Sequence, residues 1–315
     1  MNKLKVLVTT TSFQDTPGKH HDLLAQQNWD LSFLRGPLKE EEIIAVIDQF
    51  DAVICGDDEY TQKVLEKGVN GKLKILSKYG VGLDKIDLEA AKKFGVKVAN
   101  CPGINQNSVA EHVFALLLSF EKNIHTQYSS VQQYSWKRQI GHEVFGKTTG
   151  IIGFGAIGKE VARIAQAFKQ RVLVFDPFVG ENIVKTYTNA EKVEDLVTLF
   201  NESNYITLHT PLTPETKHLI NQDVIQNHLT QKPIIINTAR AGLVETEAII
   251  DGIENNKISG YLCDVLDQEP ISKNEKLVGL NNVIITPHVG SRTYENVVNQ
   301  GTMAIKNVIN QQNDR

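Results

Sequence analysis

The apolar residues of this chain fall into short unbroken runs separated by stretches with helical spacing. Runs such as VLVF at 172–175, IIIN at 234–237 and VIIT at 283–286 do not alternate with polar residues, as a strand with one wet face would. Strands covered on both faces read this way, and parallel sheets sandwiched between helices supply that cover. Strands are predicted at 5–9, 52–55, 74–77, 97–99, 149–153, 171–176, 205–209, 234–237, 260–264 and 283–286. Helical patterns occupy 40–49, 88–94, 158–168, 190–200, 245–255 and 295–311. A further helix opens at Ser108-Val109-Ala110-Glu111, read as a capping box with Ser108 as the cap. The apolar run behind it, Val113 to Phe120, predicts burial between layers or domains. The alternation is that of an α/β protein with doubly wound parallel sheets.

At 315 residues the chain is too long for one comfortable core, so two domains are expected. An apolar fraction of 41% and a charged fraction of 22% describe a soluble globular protein. The formal net charge is −4 without a sustained basic block, which argues against nucleic acid as a partner. Cys55, Cys101 and Cys263 are too far apart for a CxxC site or a disulfide framework, and such sparse use fits a reducing cytoplasm. No apolar stretch is long enough for a signal peptide core or a bilayer span, so no membrane partner is expected.

The most specific local signal is Gly153-Phe154-Gly155-Ala156-Ile157-Gly158, which follows one predicted strand and opens a helix. Gly153 permits the tight turn, Gly155 lets backbone approach a pyrophosphate, and Gly158 lets helix pack closely on strand. The helix N-terminus then offers unpaired N–H groups and its positive dipole end to phosphates. A glycine loop alone is weak, but here a second strand follows and ends at Asp176, where a carboxylate can bond the adenosine ribose. Asp176 would repel a 2′-phosphate, so NAD is expected over NADP.

Three polar residues stand just past predicted strands: Arg240 in NTARAG, Glu269 in DVLDQEP and His288 in TPHVG. Ligands of open α/β sheets bind beyond the carboxyl ends of strands, so all three are at the level where chemistry occurs. Each alone has an ordinary explanation as a surface or loop residue. Together they supply a guanidinium to hold a carboxylate or carbonyl oxygen, an imidazole to protonate a developing alkoxide, and a carboxylate to orient the ring.

In order along nearly the whole chain, the motifs resemble the D-isomer-specific 2-hydroxyacid dehydrogenases. They are Lys78-Tyr79-Gly80-Val81-Gly82-Leu83-Asp84, Ser108-Val109-Ala110-Glu111, the glycine loop with Asp176, His209-Thr210-Pro211-Leu212, NTARAG, DVLDQEP and Pro287-His288. The resemblance implies a catalytic triad of Arg240, Glu269 and His288, with NAD as cofactor and no metal. It places the substrate carboxylate on backbone around Tyr79, Gly80, Val81 and Gly82. It sets Asp264 toward the nicotinamide amide, Thr210 and Pro211 beside the adenosine, and Thr238 among the cofactor contacts. It also implies a Rossmann cofactor domain, 101–286, inserted into a flavodoxin-like substrate domain, 1–100 plus 287–315. The active site would be the cleft between them, and two chains would pair through their cofactor domains.

Within that family the flavour is closest to the phosphoglycerate dehydrogenases, through PGINQNSVAEH at 102–112 and Trp136-Lys137-Arg138. There an arginine matching Arg138 helps bind a substrate phosphate across the dimer. Other phosphate-binding cations of that branch follow the strand matching 52–55, where this chain carries Gly56-Asp57-Asp58-Glu59. That acidic run should repel a phosphorylated acid, unless the three residues merely cap a helix and face solvent. The expected reaction therefore interconverts a D-2-hydroxy acid and its 2-oxo acid with NAD(H). One alternative is a D-3-phosphoglycerate dehydrogenase of serine biosynthesis without a regulatory domain, since the chain ends soon after its last helix. Another is an NADH-sensing, corepressor-like binding protein. Formate dehydrogenases, with similar architecture, carry glutamine where this chain has Glu269.

Overall fold

A computed structural model describes residues 3–187 and 190–313. The chain divides into two compact units, Met1–Asn105 with Arg292–Arg315, and Gln106–Ser291. The first unit carries strands β1 (Lys5–Val8), β2 (Asp30–Phe33), β3 (Ala52–Cys55), β4 (Ile75–Lys78) and β5 (Lys97–Ala99), all paired in parallel in the order β2-β1-β3-β4-β5. Successive side chains of a strand point to opposite faces. Leu7, Val53 and Leu76 accordingly enter one apolar cluster with Val64 and Leu65, while Val6, Val8, Ile54 and Ile75 enter another. The second cluster is completed by Ala304, Ile305 and Val308 of the Tyr294–Asn313 helix, which is why the last helix belongs to the first unit. Ser77 Oγ donates to Ala304 O at 2.8 Å and Asn307 Nδ2 to Asn100 O at 2.9 Å, fixing that return.

The second unit carries β6 (Thr148–Ile152), β7 (Arg171–Phe175), β8 (Glu191–Lys192), β9 (Tyr205–Leu208), β10 (Ile234–Asn237), β11 (Gly260–Cys263) and β12 (Val283–Ile285). Their order is β12-β11-β10-β9-β6-β7-β8, again all parallel. Ile151, Val172, Val174 and Ile236 face one helical layer, and Ile152, Leu173, Ile206 and Ile235 face the other. Both sheets are thus doubly wound, as the unbroken apolar runs require.

Several elements depart from the sequence pattern. β2 was not expected, because as an edge strand it buries none of its residues fully and so carries no apolar run. The helix expected at 190–200 begins instead at Leu196. Asp195 caps it by accepting from Thr198 N at 2.8 Å, and Glu191 and Lys192 upstream extend the sheet as β8. The helix expected at 40–49 stops at Ile44 and tightens into a 3-10 turn at Ile47–Gln49. That turn lies against the Gln62–Gly71 helix, where a Cβ on Gly71 would come within 2.2 Å of Asp48 O. Ser108 is not an N-cap, since its helix runs Gln106–Glu121 and starts two residues earlier. Nor is that helix buried all round. Val113, Phe114, Leu116 and Leu117 enter the core of the second unit, while Glu111 and Ala115 are exposed. All three cysteines are free and buried, and no helix of the described residues is long and apolar enough to cross a membrane.

Candidate active site

In the second unit the order of strands reverses between β6 and β9, and the loops beyond those two strands meet there. Gly153 adopts φ +93°, and a Cβ on it would lie 2.6 Å from His209 O and 2.9 Å from Thr210 N. Only glycine fits so close an approach of two backbones. Gly158, inside the Ala156–Ala167 helix, is equally constrained, for a Cβ there would meet Gly153 O at 2.2 Å. Gly155 differs: it precedes the helix, no side chain caps that end, and a Cβ on it would meet nothing within 4 Å. The first N–H groups of a helix have no partner inside it. At Gly155 that helix end borders open space, which suits a pyrophosphate.

Asp176, directly after β7, spans this loop. Its Oδ2 accepts from Phe154 N at 2.8 Å and its Oδ1 from Phe178 N at 2.9 Å. The carboxylate is therefore held against the glycine turn. Thr238, after β10, has a buried Oγ1 without a hydrogen-bond partner. Such an orphan is uncommon in native proteins and calls for a ligand or water to satisfy it. Open helix end, positioned carboxylate and orphaned hydroxyl together fit a dinucleotide. His209, beside them, bonds Thr207 Oγ1 at 2.8 Å. Part of its surface reaches solvent, yet enough protein surrounds the ring for burial to push its pKa down to about 3, so it is neutral at physiological pH.

Arg240, Glu269 and His288 follow β10, β11 and β12, three adjacent parallel strands, and so stand beyond the same edge of one sheet. The turn to Arg240 is stapled by buried Asn237, whose Oδ1 accepts from Ala239 N at 3.1 Å while its Nδ2 donates to Arg240 O at 2.9 Å. Glu269 is fixed through both oxygens. Oε1 accepts from Leu266 N at 3.0 Å, and Oε2 lies 2.7 Å from His288 Nδ1. The two side chains are 38% and 40% exposed, a setting in which an ion pair is worth about 1 kcal/mol or less. Stability does not explain the pair. Orientation does: the bond from Nδ1 to Glu269 fixes how the imidazole ring is turned. Arg240 Nη1 donates to Ala239 O at 2.7 Å, so the guanidinium is also braced against its own loop.

His288 has φ +53°, a left-handed conformation uncommon for a residue with a Cβ and costing on the order of 1 kcal/mol or more. The surrounding bonds enforce it. Asp264 Oδ1 accepts from Thr286 Oγ1 at 2.6 Å and Val289 N at 2.9 Å, and Oδ2 accepts from Gly290 N at 2.7 Å. Burial alone would raise the Asp264 carboxyl, but bonds from His112, Thr286, Val289 and Gly290 hold it below its usual range. Asp264 thus grips the loop on both sides of His288. His112 joins this network, 2.9 Å from Thr286 Oγ1 and 3.4 Å from Asp264 Oδ1. It was not singled out from sequence, because a histidine on a half-apolar helix carries no signal until the helix docks on its sheet.

In the first unit the loop Tyr79 to Gly82 follows β4. The Tyr79 side chain packs edge-on to Phe13, with its hydroxyl 3.5 Å from Ser12 Oγ and Val297 O. The carbonyls of Gly80 and Val81 accept from Cys101 N and Asn100 Nδ2, at 2.8 and 2.7 Å. Among the described residues the amides of Gly80, Val81 and Gly82 donate to no backbone carbonyl, which leaves backbone donors for an anion. Arg138 and Pro211 are exposed. The acidic run divides: Asp57 pairs with Lys78 while its side chain stays 60% exposed, Asp58 is fully buried, and half-exposed Glu59 faces Lys85.

Residues 114–290 match the family model described as D-isomer specific 2-hydroxyacid dehydrogenase, NAD binding domain. A hydroxypyruvate reductase of Thermotoga maritima is 39% identical over 263 residues, covering 82% of this chain and 83% of that protein. A D-3-phosphoglycerate dehydrogenase of Synechocystis is 38% identical over 271 residues, which are 83% of this chain and 47% of that protein. The chain therefore spans about half the length of that relative. The solved apo-structure of Escherichia coli D-lactate dehydrogenase superposes with a TM-score of 0.86 at 29% identity, covering 99% of this chain and 98% of that one.

Proposed function

The chain belongs to the D-isomer specific 2-hydroxyacid dehydrogenase family, and from that premise we propose that it interconverts a D-2-hydroxy acid and its 2-oxo acid. The observation that carries this is the Glu269–His288 pair, an oriented acid–base couple on the same sheet edge as Arg240. NADH, when bound, supplies the hydride. Gly155, Ala156 and Ile157 hold its pyrophosphate, Asp176 its ribose, and Thr210, Pro211, Thr238 and Asp264 complete its surroundings. Arg240 binds and polarises the substrate's carboxylate or carbonyl oxygen, and the amides of Gly80, Val81 and Gly82 take its carboxylate. His288 holds a proton at Nε2 and releases it to the substrate oxygen as negative charge develops there. Glu269 keeps the ring oriented and favours its protonated form before transfer. The same groups run in reverse for oxidation. The test is NADH consumption against a panel of 2-oxo acids. Turnover of at least one is expected, and none in protein that binds NADH would overturn the reading.

Asp176 is proposed to select NAD over NADP, because a second negative group would sit against a carboxylate already fixed on the loop. Asp176→Ala should raise the NADPH-to-NADH ratio of kcat/KM by about tenfold or more, equivalent to about 1.4 kcal/mol. Equal use of both cofactors by the unaltered protein would contradict the assignment.

We also propose a homodimer through the second unit. The Ile124–Gln132 helix buries none of its own residues. Ile124, Tyr128, Tyr134, Trp136, Ile140 and Phe145 are between 53% and 101% exposed. Monomers rarely display so extensive an apolar patch. Arg138 lies within this segment, so any contact it makes with substrate is proposed to depend on the dimer. Light scattering should give twice the chain mass, falling toward the monomer in Trp136→Glu/Ile140→Glu. A monomeric unaltered protein would contradict the proposal. Free, buried thiols and sparse cysteine usage support a cytoplasmic setting.

A further inference from the structure

The helix that opens the second unit, Gln106–Glu121, buries Val109, Val113 and Leu116. His112 stands among them in the chain, and its side chain is only 18% exposed. An apolar residue would serve there if filling space were the whole task. Instead the ring carries a nitrogen to a polar spot, with Nε2 2.9 Å from Thr286 Oγ1 and 3.4 Å from Asp264 Oδ1.

The hydrogen bonds assign the protons at this spot. Asp264, held below its usual range, is a carboxylate at neutral pH and can only accept. The single hydroxyl proton of Thr286 therefore goes to Asp264 Oδ1, 2.6 Å away. The Thr286 oxygen is left to accept, so the proton between it and His112 sits on Nε2. One chain of donors runs from His112 through Thr286 to Asp264.

Asp264 is 2% exposed, and among the described residues no lysine or arginine forms an ion pair with it. A buried carboxylate in that position depends on the hydrogen bonds it accepts. Thr286, Val289 and Gly290, which supply three of them, all belong to the loop after β12. His112 is the donor that comes from another element. Gly290 closes against both partners, for a Cβ on it would lie 2.9 Å from Asp264 Oδ2 and 3.4 Å from His112 Cδ2. Between Thr286 and Gly290 stands His288 at φ +53°, a conformation that persists only where its surroundings dictate it.

Resting on the dehydrogenase reading above, we propose that His112 is a positioning residue for the reaction: donating from Nε2 to Thr286, it anchors the His288 turn to the Gln106–Glu121 helix. It acts through Thr286 and Asp264, and not on the reacting atoms. A misplacement of about 1 Å at a catalytic group can cost about a hundredfold in rate. Loss of the anchor should therefore be read mainly in kcat.

The test joins steady-state kinetics, NADH titration and hydrogen exchange of the segment 286–290. His112→Leu should lower kcat by about tenfold or more. NADH affinity should be largely kept, because the glycine loop and Asp176 follow β6 and β7. His112→Gln, which can bring an N–H donor to the same place, should restore most of the rate. Thr286→Val should reproduce the loss, and carries the same expectation should His112→Leu not fold. His112→Leu/Thr286→Val should be little worse than either single variant, because both cut one chain. The Val289 and Gly290 amides should exchange faster in His112→Leu and not in His112→Gln. An unchanged kcat in folded His112→Leu would overturn the proposal, and so would an equal loss in His112→Gln. Turnover of no 2-oxo acid by the unaltered protein would overturn the dehydrogenase reading instead. The exchange rates would then decide the anchor alone: faster exchange in His112→Leu sustains it, and unchanged exchange overturns it.

Discussion

His288→Ala is expected to lower kcat for 2-oxo acid reduction by about a thousandfold, within the range attributed to a positioned general acid, while NADH still binds. The geometry separates these two outcomes. His288 follows β12, whereas the glycine turn and Asp176 follow β6 and β7 on the other side of the reversal in strand order. Losing the ring removes a half-exposed pair worth about 1 kcal/mol or less, so the fold should survive. The left-handed backbone remains strained with alanine, but Asp264 still clamps Val289 N and Gly290 N. Glu269→Gln should cost less, because glutamine can still orient the ring through a hydrogen bond but no longer favours its charged form. Steady-state rates and NADH fluorescence titration distinguish these cases. Lost NADH binding in a folded His288→Ala protein would mean that His288 serves the cofactor instead.

Gly158→Ala should be the most damaging single change in the cofactor loop, and Gly155→Ala its informative opposite. At 158 the added methyl lands 2.2 Å from Gly153 O, a backbone atom that cannot rotate away. Helix and turn must separate, at a cost of about 3 kcal/mol or more. Both thermal stability and NADH affinity should fall. At 155 the same methyl meets nothing within 4 Å, so the melting temperature should hold. It would nonetheless fill the space proposed for the pyrophosphate, and NADH affinity should fall at least tenfold, about 1.4 kcal/mol. Thermal unfolding and NADH titration of both variants would reveal the pattern. Unaltered NADH affinity in Gly155→Ala would move the phosphates away from this helix end.

The parts legible in the sequence were those written in local pattern. Runs such as IIIN and VIIT are what a strand with two covered faces must look like, and they marked β10 and β12 closely. The glycine turn was legible because each glycine answers a steric demand, at Gly153 from the His209 backbone and at Gly158 from Gly153 itself. What depended on distant partners was not legible. β2 and β8 are edge strands, covered too little to show an apolar run. The charge of Asp57 was plain, but its partner Lys78 comes from the neighbouring strand, and the pairing inverts the reading of both residues. Asp58, read as part of an acidic run that either repels a phosphorylated acid or faces solvent, is buried instead, since its acceptors are filled by Thr9 and two backbone amides. His112 and Asn237, which support the triad's loops, act through contacts that only the folded sheet creates.

Hydride transfer onto a carbonyl oriented by Arg240 and protonated from His288 has a fixed handedness. The configuration of the product tests it most directly. The protein would be incubated with NADH and the 2-oxo acid it turns over fastest, and the hydroxy acid resolved by chiral chromatography. A product that is essentially all D is the predicted result. An L or racemic product would contradict it.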